Sequence, residues 1–304
     1  MKISLKQIAV ALLFAMGCTK TEQPQLLQPQ QEVVTQLSSE KISTAPSYRG
    51  MYVSDFENIC GNTAREDSLL NWCVAKNINA LSLYGLGTIL TSTANYTPLA
   101  AFIKRAKLNY GIKQFAAVRG SSANVTGQTA DYNNSRTDTT ERFNYMNLER
   151  EWWNNACTFD NYVTNLTAIK QWGDAQTKKV YTEEYIGWFH NPTGQDSTMA
   201  SALIKNSHRI MVHDYVTTPN FGYMQTRLDW IGRAAKALNK TAQIIIIFSA
   251  EPTFSYTYFQ THTFDDAYQA IVTGHNASAF AGKNNIKIIG YQIFDSYNAR
   301  AARP

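Results

Sequence analysis

Two glutamates two residues apart, Glu149 and Glu151, close the stretch "RFNYMNLEREWWN" just before a tryptophan pair. Carboxyls crowded in this way can split roles. Like-charge repulsion and burial keep one protonated as a proton donor, while a neighbour stays ionised to stabilise positive charge. Side chains alternate along a strand, so Phe143, Tyr145, Asn147, Glu149 and Glu151 are expected on one face. Further acids and amides stand near the ends of other apolar runs: Glu183 and Glu184, His213 and Asp214, Glu251, and Gln292 with Asp295.

The elements that must position these groups are legible from Tyr48 onward. Eight apolar runs, among them "GMYVSDF", "INALSLYGL", "IKQFAAVRG" and "AQIIIIFSAEP", alternate with helical patterns such as "TPLAAFIKRAKLNYG" and "RLDWIGRAAKALNK". This pattern predicts parallel strands and a single-domain (β/α)8 TIM barrel, an α/β fold, over residues 48–304. The roughly 255 residues suit the usual size of about 250. An open doubly wound sheet is the alternative, but no glycine-rich phosphate loop follows the first strand. The third and last helices are expected to be incomplete. "SSANVTGQTADYNNSRTDTTE" has no helical stripe, and only "SYNARAARP" follows the eighth strand. Chemistry in such a barrel gathers at the C-terminal strand ends, where the polar residues above lie.

Residues 1–17 read as an export signal, with Lys2 and Lys6 ahead of an apolar run from Ile8 to Met16. "AMGC" resembles a bacterial lipobox, which implies lipidation of Cys18 and a place in the cell envelope, held by lipid alone at the outer membrane. Residues 18–47, rich in Gln, Thr, Ser and Pro, read as a flexible tether. Of the remaining cysteines, Cys60 and Cys73 are spaced to allow pairing across a short loop, leaving Cys157 free. The net charge of +5 falls to +3 without the two signal lysines, too mild and scattered for nucleic acid. His190, His208, His262 and His275 show no metal spacing, and neither metal nor cofactor is expected.

"FNYMNLERE" resembles, without gaps, the strand-four signature D-x-x-D-x-D-x-E of glycoside hydrolase family 18, the chitinases and endo-β-N-acetylglucosaminidases. Asn144 and Asn147 stand at the first two aspartates, Glu149 at the third, and Glu151 at the general acid. "MVHDY" is similar to the family's M-x-Y-D, placing Met211 and Asp214 on matching positions and His213 on the tyrosine. The resemblance implies hydrolysis of N-acetylglucosamine-containing glycans by a substrate-assisted retaining mechanism. Glu151 is then the acid, supported by Glu149 and Asp214. Asn147, Met211, His213, Trp152, Tyr215, Tyr291 and Gln292 are expected to contact a glycan substrate or ligand. The chain is expected to be a monomer that works with a glycan transporter. Two other readings stand beside it: a glycan-binding barrel that has lost catalysis, and a retaining glycosidase using Glu151 and Glu251 about 5 Å apart.

Overall fold

The computed structural model describes residues 45–189 and 195–303. The signal, Cys18, most of the tether and His190 lie outside the described residues. Eight strands form a closed, all-parallel barrel in chain order: β1 Tyr48–Val53, β2 Ala80–Leu83, β3 Gln114–Arg119, β4 Tyr145–Leu148, β5 Tyr181–Ile186, β6 Arg209–Asp214, β7 Ala242–Ser249 and β8 Ile286–Phe294. The expected TIM barrel is the observed fold. Each strand is buried on both faces, which is why it reads as an apolar run without a polar edge.

Helices on the outside include Thr63–Ala75, Tyr96–Asn109, Phe159–Ala175, Phe221–Ala237 and Phe264–Ala277. Four start on side-chain caps, Asn62, Thr158, Asn220 and Thr263, which satisfy backbone donors that the first helical turn leaves without partners. Between β3 and β4 the polar stretch forms only short turns of helix, at Ser122–Asn124, Val125–Thr129 and Ala130–Ser135. The last helix, Ser296–Ala302, has seven residues and is capped by Asp295. No helix among the described residues is long and apolar enough to cross a membrane. Cys60, Cys73 and Cys157 are free thiols, so the Cys60–Cys73 bridge that the spacing allows is not made.

The lower interior is polar yet filled. Arg209 lies buried between the rings of Tyr48 and Tyr145, with its guanidinium carbon 4.6 and 3.5 Å from their centroids. It donates to Glu183 at 2.6 Å and to Gln114 at 2.6 Å. Glu183 also accepts from Asn147 at 3.0 Å. Every charge taken from water here meets an opposite charge or a hydrogen-bond donor, the condition for tolerating buried ions.

The phase of β8 is set by a bulge. Ile244 pairs with Ile288, but Ile245 pairs with Gly290, so one extra residue enters β8. A Cβ at Gly290 would stand 1.8 Å from the Tyr48 carbonyl oxygen, so only glycine fits. Beyond the bulge Gln292 and Phe294 face the interior, and Tyr291 faces the helix layer.

Candidate functional site

At the C-terminal end of the strands lies a cavity of about 210 Å³. Its floor is Asn147, Met211, Ile247 and Gln292, and its walls are Tyr52, Tyr185, Tyr215, Phe294, Glu149, Glu151 and Glu251. Three carboxyls thus meet four aromatic rings, with no Lys, Arg or His among the described lining residues.

β4 ends at Leu148, yet the chain continues alongside β3, with the Glu149 amide donating to the Arg119 carbonyl at 3.1 Å. This keeps the alternation running for one more step and turns Glu149 inward. Its carboxyl accepts a hydrogen bond from the Tyr52 hydroxyl. Burial pushes Glu149 up to about 7. The Tyr52 hydrogen bond opposes that rise, and the nearby Glu151 carboxylate adds to it. Glu151 starts a 3-10 turn over Trp152–Asn154 and accepts from the Tyr185 hydroxyl, and from Asn154 Nδ2 at 2.6 Å. Glu251 follows β7 and accepts from Ser249 Oγ at 2.8 Å.

Gln292 is held from below. Tyr48 donates its hydroxyl to Gln292 Oε1 at 2.7 Å, and Gly50 leaves room beside it, since a Cβ there would lie 1.9 Å from that oxygen. With Oε1 engaged, Nε2 is a buried donor with no partner in the described structure.

Of the residues expected to form a site, Glu149, Glu151, Asn147, Met211, Tyr215 and Gln292 line this cavity, as does Glu251. The rest do not. Asp214 neighbours His213 on the opposite face of β6 and accepts from the Asn220 amide at 3.1 Å, outside the barrel. Burial pushes it up to about 7. His213 is buried behind the wall, stacked on Tyr215 at 4.0 Å, and burial holds its imidazole well below the usual range. Trp152 packs under the loop against Phe159, 4.8 Å between centroids, and Trp153 packs against Tyr185. Tyr291 donates to Asp265 at 2.8 Å in the helix layer. Tyr52 and Ile247 belong to the site and were not anticipated. Their strands are apolar on both faces, so sequence carries no mark of which side chains look inward.

No family model matches the chain, and no curated protein matches it by sequence. The barrel is similar to solved structures at low identity. One is 2,3-dimethylmalate lyase, of the PEP mutase/isocitrate lyase superfamily: 11% identity, 85% of this chain and 80% of that chain, TM-score 0.48. Another is hydroxymethylglutaryl-CoA lyase from Pseudomonas aeruginosa: 12% identity, 82% and 76%, TM-score 0.43. A third is an O-GlcNAc hydrolase mutant from Thermobaculum terrenum: 11% identity, 82% and 55%, TM-score 0.42. Likenesses this distant cross reaction classes and speak to the fold alone.

The expected membership in glycoside hydrolase family 18 is corrected by these findings. No family model matches the chain. The geometry gives the physical reason. Asn144 Oδ1 accepts from the Phe115 amide, and Asn147 serves the buried Glu183, so neither continues a chain of carboxyls toward Glu151. Asp214, the anchor of the second motif, faces away from the cavity. The glycoside hydrolase assignment falls with the family.

Proposed function

We propose that the barrel mouth carries out general acid–base chemistry on a small molecule, with Glu149 as proton donor. The observation that carries this reading is a carboxyl pushed up to about 7, lining a cavity beside two further carboxyls. A group titrating near neutral pH is matched both to give and to take a proton. Tyr52 orients one oxygen of Glu149, and Tyr185 orients Glu151 on the facing wall. The absence of a basic side chain from the described lining favours neutral or cationic molecules over anions. Among the described residues, no group of three or more His, Cys, Asp or Glu is placed to hold a metal ion.

The test is a conversion screen. The full chain and Glu149→Gln are incubated with a metabolite extract in deuterated water, and mass spectrometry follows products and label uptake. Conversion or exchange that the wild type catalyses and the variant loses by roughly 10²–10⁴-fold supports the proposal. The same pattern from both folded proteins overturns it.

A further inference from the structure

We infer that the cavity recognises a small alkylammonium ligand that also carries a hydrogen-bond-accepting oxygen, an amino alcohol or its quaternised form. This rests on the reading of the barrel mouth as the functional site and narrows its ligand class. Three independent features converge on it.

The first is the ring wall. Tyr52 and Phe294 lie 5.0 Å apart between centroids and are tilted by 57°. Tyr215 stands 6.1 Å from Phe294. With Tyr185 these rings line one space, and a cation held there meets the negative quadrupole of each ring face turned toward it, the interaction that binds quaternary ammonium groups. The second is charge. Glu151 and Glu251 line the cavity beside the proton donor Glu149, and the one buried arginine of the floor network, Arg209, is already held by Glu183. The third points to the oxygen. Gln292 is 1% exposed, its Oε1 is held by Tyr48, and its Nε2 is a donor without a partner on the cavity floor. A buried donor in this state is satisfied by an acceptor on a ligand. Cation and acceptor together define the class.

The test uses three probes of similar size against the full chain, by calorimetric titration. Choline carries both groups. Its neutral isostere 3,3-dimethyl-1-butanol keeps shape and hydroxyl but lacks charge, and tetramethylammonium keeps charge but lacks the oxygen. Choline is expected to bind on the order of tenfold tighter than the isostere, an advantage that Phe294→Leu reduces several-fold by keeping bulk without a π face. Choline is also expected to bind several-fold tighter than tetramethylammonium, a preference that Gln292→Met abolishes. Equal or tighter binding of the neutral isostere, or no saturable choline binding, overturns the inference. A choline preference over tetramethylammonium that survives Gln292→Met overturns the role of Gln292. The acid–base reading fails separately, through the Glu149→Gln conversion screen, because choline affinity does not require proton transfer.

Discussion

Tyr48 holds Gln292 in place: its hydroxyl donates to Gln292 Oε1 at 2.7 Å across 244 residues of sequence, in the space that Gly50 leaves beside both. The contact links the floor of the barrel to the cavity above it, because the same tyrosine ring stacks on Arg209.

Gly50→Ala tests that link. The new methyl would stand 1.9 Å from Gln292 Oε1 and 2.6 Å from the Tyr48 ring, so at least one of them must move. Overpacking of this kind costs about 1–3 kcal/mol. Urea denaturation is expected to show that loss, whereas unchanged stability would mean the floor is looser than described.

The floor ion pair gives a second prediction. Arg209→Met leaves Glu183, which is fully buried, without its cation, and should destabilise the barrel by about 3–5 kcal/mol. Adding Glu183→Gln should recover a large part of the loss, because the uncompensated charge is gone. A denaturation double-mutant cycle measures the coupling, and strict additivity of the two changes would argue against the pair.

Stability should fall as pH rises from about 6.5, above the range where the buried imidazoles contribute the opposite trend, to 8. Burial pushes Glu149 and Asp214 up to about 7, and Glu184 up to about 8. The fold therefore favours their neutral forms. That contribution is fully present below the ordinary carboxyl range and is lost as pH climbs through the raised values. Glu149→Gln should flatten part of the decline and raise Tm at pH 8, by about 2–4 °C for each kcal/mol relieved. An identical decline in the variant would place Glu149 in a wetter setting.

Asp214→Asn separates position from motif. The residue faces the helix layer, so the variant should leave choline affinity within about twofold while it alters stability above pH 7. A large loss of binding would put Asp214 back at the cavity.

The barrel was legible because parallel strands covered on both sides are written as apolar runs between helical patterns, and the pattern over residues 97–111 falls on the helix Tyr96–Asn109. The carboxyls were legible because alternation carries from Asn147 to Glu149. What alternation alone could not give is the phase of β8. The bulge between Ile288 and Gly290 decides that Gln292 looks inward and Tyr291 outward, and adjacent residues cannot share a face. Nor does local sequence join Tyr52 to Glu149, which closure of the barrel brings together from 97 residues apart. The family-18 motif misled for a related reason. A gapless match fixes spacing along one strand and says nothing of what surrounds each side chain.

The stacked Tyr48–Arg209–Tyr145 layer acts as a stopper beneath the cavity. A molecule that enters between the strand ends has no through-route, so uptake and release share one mouth. Rates of both then depend on the rim, where Tyr84 is half exposed beside Tyr52. Changes at that rim should speed or slow entry and escape together, leaving the equilibrium between them largely untouched.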